Sequence, residues 1–227
     1  MSEKSSFDIQ QIIEQAKTVI TQPVSYFQSM SKAGGFGDPV VFVAVMGAVA
    51  GIISAVLALC GSGGGLLIAF FGALIFGPLM ALLGAFIGAA VLYVIWKLMG
   101  SSEDYETAFR CQAALAALYP ISAVVGIVPY IGGIVSIAWG AWLLVEASVA
   151  VHDRQRKTAQ IVFGALAVLF IFTSIGSERA SRAMDARMQE MGGHFQGIED
   201  MSSEDAGRKM GEFLKGLEEG AQSDGDQ

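Results

Sequence analysis

Glu146 and Arg110 are the side chains best placed to do chemistry, because residues 111–145 between them carry no charge at all. A carboxylate inside such a stretch costs several kcal/mol in lipid unless it is neutralised or paired. Counted from a turn at Pro129-Tyr130, Arg110 lies about 19 residues back and Glu146 about 17 forward, so at ~1.5 Å per residue their depths differ by only ~4 Å. Antiparallel neighbours at that depth would bring the two together, and an Arg110–Glu146 pair is the expectation. Such a pair reads as a clamp between helices, as two groups snorkelling to an interface, or as part of a polar relay or solute contact. Gln112, Tyr119 and His152 could extend a relay, although His152 also marks a boundary, being followed at once by Asp153, Arg154, Arg156 and Lys157.

Other chemistry has little to stand on. The chain has two histidines, no His-Glu-x-x-His, no convincing nucleophile elbow and no paired aspartates within an apolar run. Gly61-Ser62-Gly63-Gly64-Gly65 lacks the Lys and following Ser/Thr of a phosphate loop and reads as a plain loop. Cys60 and Cys111 make neither a disulfide framework nor a metal motif. No enzyme, no cofactor and no metal site is expected. The net charge of −7 argues against a nucleic-acid partner, and residues 178–227 supply −6 of it.

What positions these residues is a set of oily segments. From Pro39 to Trp96 the chain runs 58 residues without a charge, and residues 111–145 and 158–177 are also charge-free. With 53% hydrophobic and 15% charged residues over 227 positions, the solvent that excludes water from so many faces is a bilayer. At ~20 residues per crossing, five spans are expected, at 39–59, 74–99, 107–128, 131–151 and 159–175. The fold class is therefore an all-α, polytopic membrane bundle of five transmembrane helices, and the lipid bilayer is its first partner. Residues 66–99 are too long for one upright crossing, and Gly77-Pro78 sits near the middle. Leu66–Phe76 reads as an interfacial or re-entrant lead-in with the span starting near Pro78; a single kinked and tilted helix fits equally well.

Charge asymmetry gives an orientation. Lys4, Lys17, Lys32, Lys97, Arg110, Arg154, Arg156 and Lys157 fall on one side, and the short loops 60–65 and 129–130 on the other carry no cation. Positive residues stay in the cytoplasm, so the N-terminus is expected there and the C-terminus on the opposite side. The polar start, with no apolar run for nearly forty residues, does not read as a signal peptide.

Two flanking regions and several small-residue stripes complete the organisation. Residues 1–38 hold an amphipathic helix whose Phe7, Ile9, Ile12, Ile13, Ala16 and Ile20 oppose Asp8, Gln11, Glu14 and Lys17; it would pack on the bundle, lie in the lipid interface or grip a partner. Residues 39–177 form the membrane domain. Residues 178–227 form an acidic tail, read as a short helix and then mobile chain. Met184, Met188, Met191 and Phe195 recur on one face of it, and Met210, Phe213, Leu214 and Leu217 on another. Gly47 and Gly51, Gly84 and Gly88, and Gly132, Ser136 and Gly140 recur every four residues, the spacing that lets helix backbones approach closely in lipid.

Gln22-Pro23 opens Val24-Ser25-Tyr26-Phe27-Gln28-Ser29-Met30, and Gly34-Gly35-Phe36-Gly37-Asp38-Pro39-Val40-Val41-Phe42 leads into the first span. Leu98-Met99-Gly100 ends the second span, Tyr105 to Arg110 leads to Tyr119-Pro120, and Pro129, Gly132 and Gly133 precede a span ending at Val151-His152. This ordered series, over residues ~18 to ~177, resembles a prokaryotic member of the Yip1 domain family. The resemblance implies five spans, a cytosolic N-terminus and a prokaryotic inner-membrane location. It also implies a non-enzymatic role in membrane organisation or trafficking-like processes through helix–helix and protein–protein contacts, with a second copy of the chain or other membrane proteins as partners. The alternative is a small transporter or channel with a polar path around Glu146 and Arg110. Ser54, Ser122 and Ser136 are the main polar groups deeper in the spans, which is little for a conduit to use.

Overall fold

In the computed structural model the described residues are 9–61 and 66–199, with Gly207, Arg208, Gly211 and Lys215. These residues form helices and no strand. In order they are α1 (Ile9–Thr21), α2 (Pro23–Ser29), α3 (Gly37–Gly61), α4 (Leu66–Leu98), α5 (Tyr105–Ala114), a 3₁₀ turn (Leu115–Leu118), α6 (Tyr119–Val125), α7 (Ile131–Ala150) and α8 (Arg156–Glu199). Among the described residues five segments are long and apolar enough to cross a membrane: Gly37–Leu57, Ile75–Leu98, Tyr105–Val125, Ile131–Ala150 and Arg156–Met188. The protein is an all-helical, multi-pass membrane protein.

α3 and α4 are held together by missing side chains. A Cβ on Gly47 would stand 2.6 Å from the Ala81 Cβ and 3.3 Å from the Pro78 Cα, and one on Gly77 would stand 3.1 Å from the Gly47 carbonyl oxygen. Gly47 thus sits where the two backbones nearly touch, which is how helices gain packing energy when lipid offers no hydrophobic drive. α4 runs unbroken through Pro78. The expected start of a new segment at Gly77-Pro78 is therefore not seen, and the single-helix reading holds. Pro78 costs α4 one hydrogen bond, and the close seat of Gly77-Pro78 on Gly47 offsets it through packing.

The third span behaves differently. Pro120 has no N–H to give the Ala116 carbonyl, and that carbonyl instead accepts from the Tyr119 N–H, three residues on. The span is accordingly α5, a 3₁₀ turn and α6 in series. α5 starts cleanly because the Asp104 carboxylate accepts from the Thr107 N–H at 2.9 Å. That bond holds the Asp104 carboxyl below the usual carboxylate range. Around the span sit α1, α2, α3, α4 and α7. Ala108, Cys111, Ala113, Ala114, Ala116 and Ala117 are all buried, so small side chains line the most crowded helix of the bundle.

α1 turns Ile12, Ala16, Val19 and Ile20 onto the core, while Ile9 and Ile13 stay exposed. Part of its apolar face thus packs within the molecule and part stays outward; Phe7 lies outside the described residues. By contact the chain divides into residues 1–175 and 176–227. In the second unit α8 continues as helix to Glu199, longer than the short extension expected, with Met184 and Met188 exposed. The second apolar face of the tail, at 210–217, and the expected mobile chain fall largely outside the described residues, as does most of the loop 61–65.

Candidate functional site

The polar side chains gather at the end of the bundle where α3, α5 and α8 begin and α4 and α7 finish. Three connections meet there: residues 30–36, 99–104 and 151–155. Trp96 closes α4 with its ring stacked on His152 at 3.8 Å, and its indole N–H donates to the Ser148 hydroxyl at 2.8 Å. The His152 Nδ1 meets the Ser101 Oγ at 2.9 Å, and the Nε2 lies 3.8 Å from the Cys111 Sγ. Burial, with Lys32, Arg154 and Lys97 nearby, pushes the imidazole down to about 3, so it stands neutral. Cys111, His152 and Ser101 have the residue types of a thiol–imidazole dyad with its orienting group. Cys111 is fully buried and His152 3% exposed, so a substrate has no way in, and the group works as a lock between connections.

Charged groups brace the same end. Lys32 donates to Glu103 at 2.7 Å and to the Val151 carbonyl at 2.8 Å, tying all three connections. Arg154 donates to the Met99 carbonyl at 3.1 Å. Arg110 reaches out of α5 to donate to the Gly35 carbonyl at 2.7 Å and to Glu106 at 3.3 Å, and Glu106 accepts from the Gly35 N–H at 2.7 Å. Gly34 makes room for this: its φ is +128°, and a Cβ there would stand 2.9 Å from the guanidinium.

The expected Arg110–Glu146 pair is not formed. Glu146, buried in α7, accepts from both terminal nitrogens of Arg156, at 2.6 and 2.9 Å, the two-pronged geometry in which guanidinium binds carboxylate best. Equal depth counted along two helices does not say which neighbour each helix face meets. The five-residue connection 151–155 folds α8 back so that its first cation lies beside the last turns of α7. Arg156, ten residues from Glu146, was legible only as part of a basic boundary. Gln112 packs against Gly88, where a Cβ would stand 3.0 Å from its amide nitrogen, and His152 belongs to the lock with Trp96.

The small residues divide as well. A Cβ on Gly132 would run into the Val125 carbonyl, so the turn between α6 and α7 closes on a bare glycine. A Cβ on Gly77 would come 3.5 Å from the Gly51 Cα, which places Gly51 on the α3–α4 contact beside Gly47. Gly140 would make an ordinary contact with Leu118, and Gly84 faces open space. The expected close packing at Gly84 is therefore corrected: its spacing from Gly88 set the two on nearby faces, but only Gly88 meets a neighbour. Ser136 is half-buried on α7.

Beside Arg110 opens a cavity of about 490 Å³, framed by α1, α2, the start of α3 and α5. Glu14, Gln15, Tyr26, Asp38 and Arg110 are its functional lining. The Gln15 amide donates to the Tyr26 hydroxyl at 2.9 Å, and burial raises the phenol, which stays protonated. Sequence reasoning passed over this cavity, because it needs α1 folded against α5. Among the described residues no group of three or more His, Cys, Asp or Glu side chains is placed to hold a metal ion.

The family model of the Yip1 domain matches residues 17–176, from the middle of α1 to the fifth span. Neither the curated proteins nor the solved structures give a match to the chain.

Proposed function

The chain belongs to the Yip1 domain family, and from that membership we propose a non-enzymatic protein that organises membrane through contacts with other membrane proteins or with a second copy of itself. The single observation that carries the proposal is the use made of charge inside the spans. Arg110 and Glu146 are both held by protein groups, Glu106 and Gly35 for one and Arg156 for the other. A conduit would keep such charges available to a passing solute. Used chiefly for internal bracing, with one guanidinium nitrogen of Arg110 left over at the end of the bundle, they support a rigid scaffold that presents apolar helix faces to lipid and to partner helices.

Location and orientation follow from the same reading. Lys32, Lys97, Arg110, Arg154, Arg156 and Lys157 cluster at the end that carries α1 and α2, which supports a cytoplasmic N-terminus in a prokaryotic inner membrane and a C-terminus on the far side. Crosslinking in intact cells, followed by affinity purification and mass spectrometry, tests the role. A membrane protein or a second copy captured reproducibly is the expected result. No captured partner, together with solute flux through purified protein in liposomes, overturns the scaffold in favour of transport.

A further inference from the structure

We propose that the cavity between α1, α2, α3 and α5 is a binding site for a zwitterionic phosphoethanolamine group, supplied by the headgroup of a membrane phospholipid. The proposal is independent of the scaffold reading and rests on the charges, the depth and the free bonding capacity of the cavity.

The charges come first. Arg110 supplies the guanidinium, while Glu14 and Asp38 supply carboxylates to the same cavity. A simple anion would meet two carboxylates with one cation and be repelled. A simple cation would meet the guanidinium. A group with a phosphate at one end and an ammonium at the other satisfies both signs. The Arg110 side chain is 11% exposed and spends Nε on Glu106 and Nη2 on the Gly35 carbonyl. Its Nη1 has no protein partner among the described residues, and guanidinium is the side chain best shaped for phosphate. The Gln15 amide donates to the Tyr26 oxygen, which leaves the phenol proton to be given to an acceptor. Among the described residues the Glu14 carboxylate meets only Lys17, at 3.8 Å across an exposed surface, a pairing worth little. It is free to take an N–H donor.

Depth selects the source. Asp38 lies in the first turn of α3 and Arg110 about five residues into the third span, or ~8 Å along its axis at 1.5 Å per residue. The guanidinium reaches back from there to Gly35, before the first span begins. The headgroup layer on each side of a bilayer is roughly 5–7 Å thick, so the cavity stands level with it. A volume of about 490 Å³ is ample for a headgroup with part of its glycerol and falls within the range of ligand sites.

The test compares lipids that differ only in the amine. A primary ammonium offers three N–H donors to Glu14 and Asp38, and the trimethylated amine of phosphatidylcholine offers none. Full-length protein is purified in mild detergent with equimolar phosphatidylethanolamine and phosphatidylcholine of the same acyl chains, and retained lipid is counted by native mass spectrometry. Phosphatidylethanolamine retained about tenfold over phosphatidylcholine is expected, the ratio of one charge-assisted hydrogen bond. Glu14→Gln with Asp38→Asn, at two exposed positions outside the helix core, should bring that ratio to parity, with circular dichroism reporting unchanged helix content. Arg110→Lys should lower retention of both lipids, since it keeps the charge and loses the fork. Equal retention by the unaltered protein, or a preference that survives the double substitution, overturns the proposal. Soluble phosphoethanolamine at millimolar concentration, added as a competitor, separates the sources: failure to displace the lipid supports the headgroup, and displacement with no preference among lipids overturns the membrane source.

Discussion

The third and fifth spans are built from similar numbers of apolar residues and do opposite jobs. In the third, 44% of the most apolar stretch is buried inside the protein; in the fifth, 11%. The third is broken into α5, a 3₁₀ turn and α6, and its buried face is mostly alanine, cysteine and threonine, with Phe109 and Leu118 its two large buried side chains. The fifth belongs to one unbroken helix whose Ile161, Val168, Leu169, Phe170 and Phe172 are 54–70% exposed. Lipid tolerates bulk, whereas neighbouring backbones demand smallness. In this protein hydropathy finds both spans, and side-chain size tells the centre from the rim.

The sharpest way to break that comparison is at the ion pair between α8 and α7. Arg156→Met leaves the buried Glu146 carboxylate without its half-exposed cation, and a buried charge that has lost its partner is strongly unfavourable. A large fall in thermal midpoint and folded yield is expected, with recovery in the double variant Glu146→Met/Arg156→Met. A single variant as stable as the parent would mean that the pair does not anchor α8.

Overpacking of the centre comes next. Ala117 is 2% exposed in the 3₁₀ turn, and Ala117→Leu adds three carbons where no space is left. Forced insertions of this kind cost about 1–3 kcal/mol, read as a lowered midpoint in detergent melts. Gly47→Leu should behave likewise at the α3–α4 contact, and Gly84→Leu should not, because Gly84 faces open space.

Acid probes the lock at the end of the third span. The folded imidazole of His152 is held down to about 3, against about 6.5 in the unfolded chain. Above pH 6.5 both states are neutral and His152 contributes no pH dependence. As pH falls below 6.5 the unfolded chain takes a proton that the folded protein refuses, so stability falls until about pH 3. The slope is at most about 1.4 kcal/mol per pH unit, and it should vanish in His152→Gln when melts are compared between pH 7 and 5.

Much of this architecture is legible in the residues themselves. The five spans follow from uncharged length alone, and Gly47 with Gly51 announces a close contact by its spacing. What escapes is direction around each axis. Glu146 and Arg110, matched in depth by residue count, find different partners, and Gly84 lies four residues from Gly88 without sharing its contact. Proline was equally ambiguous: Pro78 leaves α4 whole, while Pro120 splits the third span. A local rule says that a hydrogen bond is lost. Only the packing around it decides whether the helix yields.

The smallest expected effect is the one that tests the comparison most directly. Phe170 and Phe172 are 58% and 70% exposed, so in a bilayer each trades contact with acyl chains rather than with protein. Phe170→Leu/Phe172→Leu changes bulk without changing the kind of neighbour, and stability should move by no more than about 0.5 kcal/mol, the range of substitutions away from packed or paired sites. The same exchange at Phe109, fully buried where α5 meets Phe36 and Phe86, leaves a void that lipid cannot fill, and should cost at least about 1 kcal/mol. Melts of the two variants in one detergent decide the matter. If the fifth-span pair fell as far as the Phe109 variant, α8 would be packed on protein in the membrane, and the contrast between a crowded centre and a lipid-facing rim would be wrong.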